Sequence, residues 1–381
     1  MPTGLIFFLV LSVLVLIHEL GHFLAARFFG IKVEEFAFGL PFTRAIFQVK
    51  RGETTYSLYP LLFGGFVRLY GEENPPSHEV LEGRDFWSRG RKQRVVVIVA
   101  GVIMNLVLAL AGFIFLYAWV GVPHQIVNKV TIVAVEANSP AALADLRIDD
   151  RVTAVEGKTI SEGAEFSRLM RSWAGLAVNL TVERGPGVPL LEGIASNHSS
   201  TQIITLTPRL NPPEGQGPLG VRIGDYPYLM LTPCPIWQPK CLGGAVRQGV
   251  ISTGEWIARV IDGLRSIGKS IAAGHAPQGV AGPIGIYQLT DVVSKGGWLP
   301  IVELTAILSV NLGVFNVLPI PALDGGRLFF IWLEYLRKKR LPAELEQQIN
   351  NWGMIALIGL IVLISLQDVI RVGWLNKLLG R

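Results

Sequence analysis

The chain has 381 residues, half of them hydrophobic and only 17% charged, with a mean hydropathy of +0.44. So apolar a composition, with so few charges, predicts an integral membrane protein. The formal charge of +5 comes from dispersed basic residues without an aromatic-interleaved stripe, which argues against a nucleic-acid partner.

Residues 1–29 are predicted to be a transmembrane helix, since Leu5 to Phe29 is apolar and long enough to cross a bilayer. No Lys or Arg precedes this run, so it reads as a retained span, not a signal peptide. Inside it His18-Glu19-Leu20-Gly21-His22 spells HExxH. Residues four apart share a helix face, so His18 and His22 can reach one zinc ion, and Glu19 is placed to act as a general base. Ionisable groups at membrane depth are costly unless they face a protein-lined cavity.

The connection 30–93 carries strand patterns at Phe47–Lys50 and Thr54–Leu58, around a turn at Gly52, and again at Gly64–Leu69. A small soluble hairpin and a sheet edge that receives a substrate strand both suit this pattern. Residues 94–122 hold a second span, whose run Val95 to Val122 is apolar but for Asn105.

Residues 128–210 read as a small α+β domain. Thr131–Val135 alternates as a strand, Ser139 caps a helix at Pro140, and Asp149–Lys158 is turn, strand, turn. Phe166–Trp173 is helical, and Val178–Val182 and Ile203–Leu206 are strands. This order resembles a bacterial PDZ domain, with Asp149-Asp150 standing where that family has Gly-Asp. Residues 211–298 read as a linker with a possible strand at Leu219–Ile223 and an amphipathic helix over Gly249–Ala273, lying on the membrane or packed on the core. Cys234 and Cys241 fall here; a local disulfide and two free thiols both remain open.

A third span, 299–336, is interrupted by Asn311, Asn316, Pro319 and Pro321, a basic loop occupies 337–351, and a fourth span covers 352–372. Arg27, Lys32, Arg89, Arg91, Lys92 and Arg94 flank the first connection, and Arg337 to Arg340 form the third. By the positive-inside rule both connections are cytoplasmic, leaving the termini and the 128–210 domain outside. Arg371, Lys377 and Arg381 pull mildly the other way. The remaining histidines, His78, His124, His198 and His275, read as solvated loop residues.

An open zinc site needs one more protein ligand. The position about twenty residues downstream, where soluble zincins place a Glu, holds Pro41-Phe42-Thr43, and residue 28 is Phe, not His. Glu34 and Glu35 are too close in sequence. Asp324 stands at the end of an apolar run within the third span, followed by Gly325-Gly326, where the chain can turn sharply. It suits either a third ligand or a helix-capping carboxylate.

HELGH in the first span together with Asn316-x-x-Pro319-x-Pro321-x-x-Asp324-Gly325 in the third closely resembles the site-2 protease family of intramembrane zinc metalloproteases, in its bacterial regulator-of-sigma-E protease branch. Gly101-x-x-x-Asn105, Gly64-Gly65-Phe66-Val67 and Val280 to Ile286 extend the likeness over about residues 1–372. The resemblance implies a multi-pass α-helical membrane protein of four transmembrane helices, with a membrane-associated β-hairpin or sheet and an inserted extracytoplasmic PDZ-like α+β domain. It implies one Zn²⁺ per chain held by His18, His22 and Asp324, with Glu19 as base. It further implies Asn316 as a holder of the substrate backbone and Gly64, Gly65, Phe66 and Val67 as the element receiving an unwound substrate. Gly101, Asn105, Pro319, Pro321 and Gly325 would be structural.

The expected activity is hydrolysis of peptide bonds within single-span membrane proteins, such as anti-sigma-factor-like proteins or remnant signal peptides, in the cytoplasmic (inner) membrane. The partners would be those substrates, the lipid bilayer and a peptide ligand of the PDZ-like domain. Two alternatives are a membrane-tethered zincin that cuts soluble peptides and a non-catalytic PDZ adapter.

Overall fold

The computed structural model describes residues 2–41, 43–71, 83–148, 150–184, 200–213, 216–232, 239–274, 282–339 and 342–371. Asp149, His78, His198, His275, Cys234, Val280, Ala281 and Arg340 lie outside them, and so do Lys377 and Arg381. The chain divides into two compact units, one of Met1–Ile114, Gly249–Asp291 and Leu304–Arg381, the other of Phe115–Gln248 and Val292–Glu303.

The first unit contains α1 (Thr3–Phe28), then β1 (Val33–Leu40), β2 (Phe47–Arg51), β3 (Thr54–Leu58) and β4 (Leu61–Leu69). The helix α2 (Arg91–Val120) starts in this unit and runs into the second. The strands form one sheet in the order β2-β3-β1-β4. β2 and β3 are the expected antiparallel hairpin, but β1 was not among the predicted strands. It lies parallel to β3 and antiparallel to β4. Val33, Glu35, Ala37 and Gly39 are buried in alternation, so the period of two is present, with a charged residue occupying one inward position. Tyr59 Oη–H donates to Glu35 Oε1 at 3.0 Å and Arg68 lies 3.3 Å from Oε2, so Glu35 is engaged within the sheet region. Burial and this carboxylate push the Tyr59 hydroxyl above its ordinary pKa. A core of Ala26, Ile31, Leu69, Phe86, Val97 and Ile331 ties α1, the sheet and later helices together.

The second unit is built on β5 (Val122–Val135), α3 (Pro140–Leu143), β6 (Arg151–Val155), β7 (Lys158–Thr159), α4 (Gly163–Ser172), β8 (Val178–Arg184), β9 (Ser200–Leu206) and β10 (Val221–Thr232). Its sheet runs β10-β5-β6-β8-β9, with β7 on β6. Val130, Ile132, Val152, Phe166, Met170 and Leu180 fill its core. Ser139 Oγ accepts the Ala142 N–H at 3.1 Å, the expected cap of α3. Asp150 accepts the Arg147 N–H at 2.8 Å and pairs with Arg184 at 2.6 Å, clamping the turn before β6 to β8.

Residues 211–298 differ from the predicted linker. β10 pairs with β5 from Val221↔Val135 to Thr232↔Val122, so the sheet extends well beyond residue 210. This pairing bridges almost the whole intervening domain, a separation at which chain periodicity carries no information. His124 accordingly lies in β5, not in a loop. The amphipathic helix, α5 (Pro239–Ala272), begins ten residues before the predicted Gly249. Cys241 is buried and is not a free thiol.

After α6 (Pro283–Ser294), the predicted third span resolves into α7 (Trp298–Val317) and α8 (Asp324–Arg337), separated by a non-helical turn at Pro319 and Pro321. α9 (Ala343–Arg371) absorbs most of the predicted 337–351 loop into its first turns. Among the described residues four helices are long and apolar enough to cross a membrane: Thr3–Phe28, Arg91–Val120, Trp298–Val317 and Leu345–Asp368. The last of these exposes Ile355, Ile358, Val362 and Leu363, a surface suited to lipid and not to water. The chain is a membrane protein.

Candidate metal centre

The site lies in the first unit, where α1 meets α2 and α8. Gly21 permits the close approach of α1 to α2, since a Cβ there would lie 2.7 Å from the Ala100 carbonyl carbon and 2.8 Å from Met104 Cγ. One turn of α1 directs His18 and His22 into the interface, both largely buried. Gly101 on α2 is the floor beneath the two imidazoles. A Cβ at Gly101 would lie 2.7 Å from His22 Cε1 and 2.8 Å from His18 Cε1, and closer still to His22 Nε2. Gly101 is therefore the residue that makes room for the rings.

Asp324 arrives from the break between α7 and α8. Gly325 is required there, because a Cβ would lie 2.5 Å from the Val317 carbonyl carbon, and closer to the carbonyl oxygens of Val317 and Leu318. Gly326 is similarly confined by the Ile320 carbonyl oxygen at 2.5 Å. Ala322 adopts φ +74, a left-handed conformation that costs a non-glycine residue about 1–2 kcal/mol, and its N–H donates to Asn350 Oδ1 at 3.3 Å. The strained turn thus presents Asp324 as the first residue of α8, aimed back at α1.

Three side-chain atoms converge. His18 Nε2 and His22 Nε2 are 3.2 Å apart, and Asp324 Oδ2 lies 3.0 Å from the first and 3.3 Å from the second. Together they form the His18–His22–Asp324 cluster able to hold a metal ion. Around a tetrahedral zinc with bonds of about 2.0–2.1 Å, neighbouring ligand atoms stand about 3.3–3.4 Å apart, so the spacing fits. The protonation pattern fits as well. His22 Nδ1–H donates to the Val97 carbonyl oxygen at 2.9 Å, which leaves a lone pair on Nε2. Asp324 Oδ2 is buried and has no hydrogen-bond partner, although it is within ion-pair distance of both rings. Acceptor atoms facing one another out of water are stable when a cation lies among them.

The site opens into a cavity of about 670 Å³. Its wall includes Glu19, one residue from the first histidine, and Gly65, Phe66 and Val67 of β4. Gly64 is not part of that wall; it takes φ +122, a conformation reserved in practice for glycine. Among the described residues β4 is an edge strand, paired with β1 on one side. Asn316, near the end of α7, places Nδ2 3.3 Å from His18 Nε2. Asn105 of α2 lies behind the same ring, with Nδ2 3.0 Å from His18 Nδ1. The structure thus gathers His18, Glu19, His22, Gly65, Phe66, Val67, Gly101, Asn105, Asn316 and Asp324 at one place, while Pro319, Pro321 and Gly325 shape the turn that delivers Asp324.

Sequence reasoning did not find Val97, whose carbonyl orients His22, because a backbone acceptor carries no residue signature. It also missed the buried pair of Arg94 and Glu334 on the cavity wall, 2.8 Å apart with side chains 1% and 2% exposed. Arg94, one of the basic residues that flank the first connection, is thus paired, and it lies over the Trp87 ring.

A paired-histidine helix, a carboxylate from a second element and four candidate spans define a membrane zinc metallopeptidase. Peptidase family M50 matches residues 6–360, and the chain belongs to that family, the site-2 proteases. A candidate zinc metalloprotease of Clostridium perfringens is 35% identical over 95% of this chain and 97% of its own length. The zinc metalloprotease RasP of Geobacillus kaustophilus is 28% identical over 95% and 96%. The regulator of sigma-W protease RasP of Bacillus subtilis is 28% identical over 97% and 98%. The protein is a zinc metalloprotease of the membrane.

Proposed function

We propose that the chain hydrolyses peptide bonds inside the transmembrane segments of single-span membrane proteins. The observation that carries this reading is the position of the site. HELGH lies in the 26-residue apolar helix α1, and its third potential ligand comes from the break after α7, another candidate span. A protease for soluble peptides has no need to build its metal centre from such helices.

In this reading His18, His22 and Asp324 hold one zinc ion. When bound, zinc supplies Lewis acidity, polarising a peptide carbonyl and acidifying water. Glu19 takes a proton from the water and later returns it to the departing amine. Asn316 offers amide N–H donors beside the metal-facing atoms, where they can hold the substrate carbonyl. The edge strand β4 pairs with an unwound substrate backbone along Gly65, Phe66 and Val67. Extended substrate is needed because a helical peptide bond is enclosed by its own neighbours.

The second unit acts in this proposal as an extracytoplasmic PDZ-like domain, a peptide-binding module or size filter; the order of α3, β6, α4, β8 and β9 supports it. Both termini lie outside, and the basic residues of the first and third connections face the cytoplasm. The cut then falls in the inner half of the membrane. The test is Glu19→Gln in proteoliposomes with a model single-span substrate. Cleavage is expected to fall by at least about 100-fold while zinc stays bound. Unchanged cleavage would overturn the reading.

A further inference from the structure

Asn105 is wholly buried at the centre of α2, in contact with the His18 imidazole of the His18–His22–Asp324 cluster. Its carboxamide carries an anomaly: Nδ2 is 3.0 Å from His18 Nδ1, while Oδ1 is buried without a hydrogen-bond partner. If Nδ2 donated to Nδ1, the proton of His18 would lie on Nε2. That atom would then point an N–H into the cluster and could not ligate. The two ends of a carboxamide have the same shape, and a half-turn about χ2 exchanges them. Oδ1 then occupies the 3.0 Å position and accepts a hydrogen bond from His18 Nδ1–H, while Nδ2, a donor, takes the buried position that Oδ1 held.

We propose that Asn105 is a positioning residue: its side-chain oxygen holds His18 in the Nδ1–H tautomer and turns the Nε2 lone pair to zinc. The role rests on the zinc-site reading above and adds a determinant to it. His22 receives the same instruction from the Val97 carbonyl at 2.9 Å. Val97, Gly101 and Asn105 succeed one another at four-residue steps along α2, so one face of this helix orients, admits and orients again. Ser309 Oγ–H of α7 donates to the Asn105 carbonyl at 2.7 Å, fixing the backbone that carries the amide. Partners of this kind on the far ring nitrogen typically alter metal affinity by about 10–100-fold.

The test measures zinc affinity of the full-length protein in detergent, by competition with a chromophoric chelator. Parent, Asn105→Asp, Asn105→Leu and His18→Ala are compared, with helical circular dichroism recorded for each. Asp keeps an oxygen acceptor and is expected to bind within about tenfold of the parent; Leu keeps the volume without an acceptor and is expected to bind about 10–100-fold more weakly. Leu binding as tightly as the parent, or Asp as weakly as Leu, overturns the assignment. Should the variants not fold, the imidazole ¹⁵N–¹H spectrum of the zinc-loaded parent decides. A slowly exchanging Nδ1–H on His18 supports the role, and rapid exchange with water overturns it. A parent that binds no zinc, or a His18→Ala variant that binds it normally, overturns the zinc site itself, an outcome distinct from failure of Asn105 alone.

Discussion

Gly101→Ala adds a single methyl group beneath the two histidines. The new carbon would lie 2.7 Å from His22 Cε1 and 2.8 Å from His18 Cε1, where ordinary contact begins at 3.4 Å. The rings must therefore withdraw by about 0.6–0.7 Å, and His22 Nε2, which is nearer, by more. Zinc sites tolerate about 0.2 Å in ligand distance, so the shift is several times the allowance. Nor can His22 swing away freely, because its Nδ1–H is tied to the Val97 carbonyl one turn earlier on the same helix as Gly101. Releasing that bond costs about 1 kcal/mol beyond the overpacking term of about 1–3 kcal/mol. Intrinsic helix propensity works in the opposite direction, favouring Ala over Gly by up to about 1 kcal/mol. Gly101→Ala is thus expected to fold with near-parental helix content yet lose zinc affinity by about 100-fold or more. Chelator competition measures the affinity and thermal melting in detergent the fold. An Ala variant that binds zinc within threefold of the parent refutes the reasoning.

Gly325→Ala places its Cβ against backbone carbonyls that cannot rotate away, so proteolysis is expected to be lost together with at least about 1–3 kcal/mol of stability, read by thermal melting. Arg94→Leu leaves Glu334 buried without its cation and is expected to destabilise by about 3–5 kcal/mol, whereas Arg94→Leu with Glu334→Leu should recover most of it. A double variant no better than the single one in urea or thermal melts would refute the pairing. Removing zinc leaves Asp324 Oδ2 facing two ring nitrogens, so the apparent melting temperature should rise with free zinc, by the equivalent of about 4 kcal/mol at a thousandfold excess over Kd. In the Asp324→Asn variant that rise should vanish.

Features that depend on near neighbours are legible in the chain alone. The apolar runs marked the spans, because hydropathy over some twenty residues is a local sum. The i, i+4 spacing put His18 and His22 on one face, because the helical repeat needs no distant contact. Pro319 and Pro321 announced a broken helix, since proline forfeits a backbone donor wherever it stands. Asp324 was legible as a candidate ligand, but its alternative as a capping residue stayed open on local grounds. Tertiary structure brings Oδ2 to within 3.0 and 3.3 Å of the two ring nitrogens, the spacing the ligand reading calls for. It decided the parallel pairing of β1 with β3, the long register of β5 with β10, and the Arg94–Glu334 pair across 240 positions. No pattern in the chain encodes which backbone carbonyl will meet His22, or that both imidazoles will rest on Gly101. Those are consequences of how closely α1 and α2 pack, and close packing is a property of the whole fold.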